Sequence, residues 1–341
     1  MSRHLPSLIL APPAVFGVAV LALAVALATP LRMPPPLASI HAGAVNIDQA
    51  GKPQLSRFQA RDGTWLAYRL YPAGDGATDR LAIIAHGSSA SSDEMHVVAR
   101  TLAQNGIAAV AIDERGHGAS GMRGDIAYIG QLDDDLADLI AELRQTYATA
   151  RLDLIGHSSG GGYALRIAGG PLAKEFDRFI LLAPYLGYFA PTNRPSEGAG
   201  RWAEPDIPRI YALKGLAGLG IDWPQSLPVI AFANAPETAR FVTSQYSYRL
   251  LMNYGPPSDW KGAFQASAGR IQVIVGEKDE LMNAAAYKTA VEPLGAKVTL
   301  LPDVDHMGVV YQPAALAAIV AAAKGAPLLQ GQRSDSAPAK S

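Results

Sequence analysis

Short apolar runs alternate with helical stretches along most of this chain, and this alternation constrains the fold more than any other feature. Two strand-like runs flank a turn at Arg61-Asp62-Gly63. Six further runs of buried-strand type follow, at residues 81–85, 107–112, 152–155, 179–182, 271–275 and 298–301. An opening hairpin followed by repeated strand–helix units predicts an α/β fold, with a mostly parallel eight-stranded sheet and helices on both faces.

The regular alternation stops between residues 185 and 268. This segment is dense in Pro, Gly, Trp and Tyr, which is typical of an insertion broken into short pieces. We therefore predict a core domain of residues 54–184 and 269–326, with residues 185–268 inserted as a lid. The aromatic residues of the insertion could line a pocket or could pack a small subdomain. Residues 327–341, rich in Gln, Ser, Ala and Lys, are predicted to be a disordered tail.

The N-terminus has a composition of its own. Residues 5–31 contain no charged side chain, and residues 14–28 are apolar apart from one glycine. Roughly 20 apolar residues are needed to span a bilayer, so residues 1–31 are long enough for an uncleaved anchor. The alternative is a cleaved secretory signal, because Ala26-Leu27-Ala28 resembles a cleavage site. Residues 32–53 are rich in Pro, Ala and Gly and predict a linker. Either interpretation predicts a protein anchored to a membrane or exported.

The charge balance argues against nucleic acid as a partner. The chain has 29 Lys and Arg residues and 30 Asp and Glu residues, for a formal net charge of −1, and no lysine- or arginine-rich run. There is no cysteine. Disulfides, thiolate metal sites and a cysteine nucleophile are therefore excluded.

A serine motif follows the third of the six buried runs. The run at 152–155 leads directly into Gly156-His157-Ser158-Ser159-Gly160, and a helical pattern comes next. This is G-x-S-x-G in the strand–turn–helix context that its chemistry requires, since a sharp turn lifts the serine hydroxyl above the sheet edge. The helix N-terminus behind the serine favours developing negative charge. Ser158 is the predicted nucleophile.

A serine hydroxyl needs a base, and a carboxylate must orient that base. In chains with this motif the order is serine, acid, histidine, and His306 is the only histidine after the motif. His306 is therefore the predicted base. Of the acidic residues that follow the run at 271–275, Asp279 is the predicted orienting acid and Glu277 the alternative. Asp279 lies 27 residues before His306, which leaves room for one helix and one strand.

An acyl-transfer site also needs donors for the oxyanion. One donor is expected to be the backbone N–H of Ser159, the residue after the nucleophile, and the other a backbone N–H of the loop after the run at 81–85. Ser88 is the predicted second donor, with Ser89 or Gly87 as alternatives. His86 is predicted to hold this loop, and residues 113–120, which precede the nucleophile, are predicted to be a structural loop.

Together these motifs resemble the α/β-hydrolase superfamily. The resemblance rests on His86-Gly87, Asp113-x-x-Gly116-x-Gly118-x-Ser120, Gly156-x-Ser158-x-Gly160, Gly276-x-x-Asp279 and Asp305-His306. Within the superfamily the chain is most similar to the lysophospholipase and monoacylglycerol-lipase-like branch, the serine aminopeptidase S33 type. This implies a carboxylic-ester hydrolase with a lid, no cofactor and no metal, often acting on lipid-like esters. Ser159 departs from the branch, where Met or another apolar residue is frequent, and makes the pocket floor more polar.

The predicted function is ester hydrolysis through an acyl-enzyme, with a lysophospholipid, a monoacylglycerol or a short soluble ester as substrate. Acyl transfer to another acceptor and amide cleavage would use the same three residues and are the alternatives. A non-catalytic binding module on the same fold is a third alternative, but such modules typically lack one of the three residues. Haloalkane- or epoxide-cleaving chemistry is disfavoured, because it needs an aspartate where Ser158 stands.

Overall fold

The computed structural model of the chain describes residues 12–74, 78–194, 201–238 and 242–325. The strands of this part of the chain are β1 (Ser56–Gln59), β2 (Trp65–Tyr71), β3 (Arg80–Ala85), β4 (Ala108–Ile112), β5 (Arg151–His157), β6 (Phe176–Leu182), β7 (Ala203–Pro205), β8 (Pro228–Phe232), β9 (Gln245–Ser247), β10 (Ile271–Gly276) and β11 (Lys297–Leu301). The helices are α1 (Pro12–Ala28), α2 (Ala38–Val45), α3 (His96–Gln104), α4 (Gln131–Arg144), α5 (Ser159–Ala168), α6 (Ile207–Gly218), α7 (Tyr248–Asn253), α8 (Trp260–Ala266), α9 (Ala286–Val291) and α10 (Pro313–Lys324).

The central sheet has eight strands in the order β1-β2-β4-β3-β5-β6-β10-β11. Strand β2 is antiparallel to both of its neighbours, and every other pair is parallel. The opening hairpin turns at Gly63, which has a positive φ of 83°, a conformation that glycine adopts without a steric penalty. The predicted mostly parallel, eight-stranded sheet is confirmed.

Helices cover both faces of this sheet. Strand β4 lies on one side of β3, whereas β6 lies beyond β5 on the other side. The connection from β3 through α3 to β4 therefore runs across the sheet in the opposite direction to the connection from β5 through α5 to β6. Both connections are expected to be right-handed, and right-handed connections that run in opposite directions place their helices on opposite faces of the sheet. Helix α10 packs beside α3, and α8 packs beside α5. The central strands β3 and β4 are buried along their whole length, as the apolar runs at 81–85 and 107–112 predict.

Residues 185–268, here called the cap segment, lie between β6 and β10. They form a three-stranded antiparallel sheet, β7-β8-β9, together with helices α6 to α8. Leu213, Val229 and Tyr248 make a small separate cluster within it. Other parts of the cap segment, including Tyr254 and Phe264, are buried in the main core. The C-terminal part of this segment is thus packed into the domain that carries the sheet.

The N-terminal segment contains two helices. Helix α1 packs along α6, and Arg209 on α6 donates to the carbonyl oxygens of Ala26 and Thr29. Among the described residues, no helix combines the length and the apolar character needed to cross a membrane. Residues 1–11 of the predicted membrane or signal segment and the predicted tail, 327–341, lie outside the described residues.

The segment 32–53, predicted as a linker, contains helix α2. Ile40 on this helix and Ile47 just after it are buried in the main core. This segment has no clear apolar periodicity, so its sequence does not predict a helix docked on the domain.

Candidate active site

Ser158 lies at the sharp turn between β5 and α5, as predicted. Its backbone has φ 52° and ψ −115°, a conformation that is strained for any residue with a side chain. The two motif glycines permit the turn. A Cβ on Gly156 would lie 2.1 Å from the carbonyl oxygen of Gly160, and a Cβ on Gly160 would lie 2.3 Å from that of His86. The serine is thereby held at the carboxyl edge of the sheet, where parallel strands present their functional loops.

His306 and Asp279 lie together at the same edge. His306 Nδ1 is 2.8 Å from Asp279 Oδ2, and both side chains are buried. The other oxygen of Asp279, Oδ1, accepts from the backbone N–H groups of Leu281 and Met282. A carboxylate accepts only, so Nδ1 of His306 carries a proton and Nε2 is the nitrogen left to act as a base. Glu277, the alternative acid, is exposed.

Asp279 and His306, which are both buried, shift each other's pKa. Burial of Asp279 opposes its ionisation, but the charge and hydrogen bond of His306 and the N–H groups of Met282 and Leu281 together outweigh burial and lower the pKa of the carboxyl group. Burial of His306 likewise opposes its protonation, but the nearby carboxylates, chiefly Asp279, together outweigh it and raise the pKa of the imidazole. The pair is arranged to stabilise an imidazolium, which a general base forms when it takes a proton from a nucleophile.

Ser158 and His306 line the same cavity. Among the hydrogen bonds of the described residues, none joins the Ser158 hydroxyl to His306. Such hydrogen bonds are often long in unliganded enzymes and tighten when substrate binds.

The two predicted oxyanion donors flank the serine. Ser159 is the first residue of α5, and Ser88 follows β3 and lines the cavity. In the described part of the chain, neither backbone N–H has a protein acceptor, which leaves both available to a ligand. The Ser88 hydroxyl accepts a hydrogen bond of 2.8 Å from Trp202 Nε1 of the cap segment.

A buried network holds the loop that carries Ser88. Ser89, with φ 71°, donates its N–H to the hydroxyl of Tyr246 over 2.7 Å. That hydroxyl lies 2.6 Å from His117 Nε2, and because it accepts from Ser89 its own proton faces the imidazole. Burial lowers the pKa of His117 well below its ordinary value, consistent with an accepting nitrogen. His86 Nδ1 lies 2.7 Å from the carbonyl oxygen of Gly87, so His86 holds the same loop.

The loop at residues 113–120 is also part of the scaffold. Asp113 accepts from the backbone N–H groups of Ser92 and Ala119 through separate oxygens. It therefore ties this loop to the start of the segment that leads into α3.

Glu94 is a partly buried acid that lines the cavity and that the sequence did not indicate. Its Oε1 accepts from the Gly87 N–H at 2.7 Å and lies 2.8 Å from His157 Nδ1. His157 Nε2 in turn lies 3.2 Å from the carbonyl oxygen of His306. Burial opposes ionisation of Glu94, but His157 and the Gly87 N–H outweigh it and lower the pKa of Glu94. Glu94 thus connects the loop of Ser88, through His157, to the loop of the predicted base.

A cavity of about 650 Å³, counted to its open mouth, lies over Ser158. The walls away from the serine are mainly apolar and come from α2, the cap segment and the loops after β10 and β11; they include Ile40, Ala44, Ala233, Ala235, Leu281 and Met307. Within the described residues, no group of His, Asp and Glu side chains is arranged to hold a metal ion.

Comparisons with known proteins agree with this fold. Residues 76–307 match the family described as serine aminopeptidase, S33. The monoacylglycerol lipase of Mycolicibacterium smegmatis is 24% identical over 238 residues, covering 64% of this chain and 76% of that protein.

Solved structures are similar in fold. A soluble variant of the monoglyceride lipase of Saccharomyces cerevisiae, in complex with a substrate analogue, has a TM-score of 0.59 at 16% identity and covers 81% of this chain and 96% of that chain. The monoacylglycerol lipase of Paleococcus ferrophilus has a TM-score of 0.51 at 18% identity and covers 75% of this chain and 99% of that chain.

Proposed function

We propose that this chain, which belongs to the serine aminopeptidase S33 family of α/β-hydrolases, cleaves carboxylic esters through an acyl-enzyme on Ser158. The observation that carries the proposal is that His306, paired with the buried Asp279, lines one cavity with Ser158. A base of raised pKa, oriented by a carboxylate and facing a serine on a strand-to-helix turn, fits nucleophilic acyl transfer.

In the first half-reaction, the Ser158 hydroxyl oxygen attacks the ester carbonyl carbon and His306 Nε2 takes the hydroxyl proton. The carbonyl oxygen becomes an oxyanion, which accepts from the backbone N–H groups of Ser88 and Ser159. Asp279 stabilises the imidazolium. When the carbon–oxygen bond to the alcohol breaks, His306 returns the proton to the departing alkoxide, and the acyl group stays on Ser158.

In the second half-reaction, water replaces the alcohol. His306 takes a proton from the water as its oxygen attacks the acyl carbon, and the same two N–H groups bind the second oxyanion. Collapse of this intermediate breaks the bond to Ser158. The serine recovers its proton from His306, and the carboxylic acid leaves.

A lipid-like ester, such as a monoacylglycerol or a lysophospholipid, is the proposed substrate class. The apolar walls of the cavity suit an alkyl chain. The similarity to a protein named monoacylglycerol lipase supports the same class. Transfer of the acyl group to an acceptor other than water, or cleavage of an amide, would use the same residues and is the alternative.

Two proposals concern the surroundings of the site. The cap segment is proposed to act as a lid that sets the substrate range, because Trp202, Ala233 and Ala235 from it line the cavity. Residues 1–31 are proposed to anchor the domain to a membrane or direct its export, because they contain a long uncharged apolar run.

Hydrolysis of p-nitrophenyl esters of increasing acyl length, by the wild-type chain and by Ser158→Ala, tests the function. We expect the variant to lose activity by on the order of 10³-fold or more while its circular dichroism spectrum is unchanged. A Ser158→Ala variant that keeps a tenth of the wild-type rate would overturn the assignment of the nucleophile.

A further inference from the structure

Helix α2 is fastened between the cap segment and the main domain. At its start, the Leu37 N–H donates to the carbonyl oxygen of Ala233 in the cap segment, over 3.0 Å. Just after its end, Arg100 on α3 donates to Asp48 and to the carbonyl oxygen of Ala50. His96 Nε2 on α3 also lies 3.0 Å from the Ala50 carbonyl oxygen. With both ends tied, the helix has a defined position over the sheet edge.

The middle of α2 touches the loop of the predicted base. A Cβ on Gly43 would lie 2.4 Å from the Cβ of Met307, the residue after His306. Real side chains do not approach so closely, so the glycine allows a contact that alanine would not. Ile40, one turn earlier, is buried in the main core. Helix α2 therefore lies directly against the loop that carries His306.

One face of α2 forms part of the cavity wall. Ile40, His41 and Ala44 line the cavity over Ser158, and Ile40 and Ala44 are four residues apart, the spacing of one helical face. At the rim, His41 Nε2 lies 3.4 Å from Glu237 Oε1, although both side chains are partly exposed and such pairs add little stability. The wall that α2 supplies below this rim is apolar.

We infer that α2 is a wall of the acyl-chain site and that Ala44 and Ile40 limit the length of chain the enzyme accepts. The inference rests on the proposed ester hydrolysis at Ser158. Ala44 is the smaller of the two and is exposed, whereas Ile40 is buried, so we place Ala44 nearer the mouth of the cavity. A short acyl group that stays near Ser158 does not reach it, whereas a longer one passes it. Helix α2 precedes residues 76–307, which match the family, so this wall lies outside the region that the family match covers.

The test compares Ala44→Leu with Ala42→Leu, the same change on the same helix at an exposed residue that does not line the cavity. One measurement is kcat/KM for p-nitrophenyl acetate and p-nitrophenyl decanoate. A second is the rate at which fluorophosphonates with a short and a long alkyl chain label Ser158, which reports the fit of the chain without turnover. Thermal unfolding of both variants checks that the helix is still docked.

We expect Ala44→Leu to lower the long-to-short ratio of both measurements by about tenfold or more, since one extra methylene in a pocket changes specificity by roughly 10- to 200-fold. Ala42→Leu should leave both ratios unchanged. Ile40→Val, a milder change at a buried residue, should raise both ratios. Equal ratios in wild type, Ala44→Leu and Ala42→Leu would overturn the inference that α2 forms a wall of the acyl-chain site. A wild-type chain that neither cleaves an ester nor is labelled at Ser158 would overturn the proposed function, and the inference with it.

Discussion

Ser158 occupies a backbone conformation that costs about 1–3 kcal/mol for a residue with a side chain. Hydrogen bonds around it hold this conformation, because its N–H donates to Leu182 and its carbonyl accepts from Gly162 and Tyr185. The strain fixes the hydroxyl over the sheet edge before substrate arrives. Preorganisation of this kind is expected of a nucleophile.

The choice between the two acidic candidates can be tested by amide substitutions. Asp279→Asn keeps the shape of the side chain but favours the wrong imidazole tautomer, and we expect kcat to fall on the order of 10⁴-fold. Glu277→Gln, at an exposed position, is the matched control and should have little effect on kcat. The measurement is steady-state hydrolysis of p-nitrophenyl butyrate. The assignment of the acid fails if Glu277→Gln is the more damaged variant.

The pH dependence of the reaction reports the Asp279–His306 pair. Only the neutral imidazole accepts the Ser158 proton, so kcat/KM should rise with pH as His306 is deprotonated. Burial alone would lower the pKa of His306, but Asp279 outweighs it and raises that pKa above the ordinary value of 6.5. We therefore expect the acidic limb of the profile to have its midpoint above pH 6.5, measured on an ester whose own hydrolysis is independent of pH. A midpoint below 6.5 would contradict the coupling of His306 to Asp279.

Individual residues differ in how far the sequence predicts them. Ser158, Asp279 and His306 each follow a strand in a fixed order, so their placement is a local signal. Glu94, by contrast, meets His157 across 63 residues of sequence, and Trp202 meets Ser88 across 114. Nothing near Glu94 or Trp202 in the chain marks these contacts, because only the tertiary fold creates them.

At the scale of elements, the cap segment carries a testable role in substrate range. Trp202 lines the cavity and bonds the Ser88 hydroxyl. We expect Trp202→Ala to raise KM for p-nitrophenyl decanoate about tenfold more than for p-nitrophenyl acetate, as the loss of an apolar contact to the chain predicts. Phe241, an aromatic residue of the same predicted lid, lies outside the described residues.

A matched control for this prediction is Trp223→Ala. Trp223 belongs to the same segment but is 82% exposed and does not line the cavity. Its removal should change neither KM. Equal losses for both esters in Trp202→Ala would point to a folding defect, and loss of Ser158 labelling by a small fluorophosphonate would show that the segment belongs to the catalytic scaffold.

Elements were predictable where burial imposes a pattern. The buried strands of the central sheet appear in the sequence as continuous apolar runs, and each of the six predicted runs lies within or overlaps a strand of the sheet. Helix α2 was not predictable, since only Ile40 and Gly43 of its eight residues are buried and the rest give no apolar stripe. Its position depends on Met307 and Ala233, which are distant in sequence.

At the scale of the whole molecule, residues 1–31 are not needed for the proposed chemistry, whereas the domain that follows them is. Deleting residues 1–31 removes α1 and its bonds to Arg209 but leaves α2 and every residue that lines the cavity. We expect the truncated chain to be soluble and to hydrolyse p-nitrophenyl acetate at the rate of the full chain. Fractionation of cells that express each form, followed by the esterase assay, measures both.

The same fractionation also tests whether residues 1–31 are an anchor or an export signal. Full-length chain that stays in the soluble cytosolic fraction, neither processed nor exported, would contradict both the anchor and the signal. A truncated chain that is soluble but inactive would instead show that α1, through its packing on α6, supports the active domain.

Covalent labelling tests most directly whether Ser158 is a nucleophile that His306 activates. The full chain is treated with a small fluorophosphonate, and the modified peptide is identified by mass spectrometry. We expect one adduct, on Ser158, that is absent in Ser158→Ala and forms on the order of 10³-fold more slowly in His306→Ala. An adduct on another residue, or labelling of His306→Ala at the wild-type rate, would contradict the account.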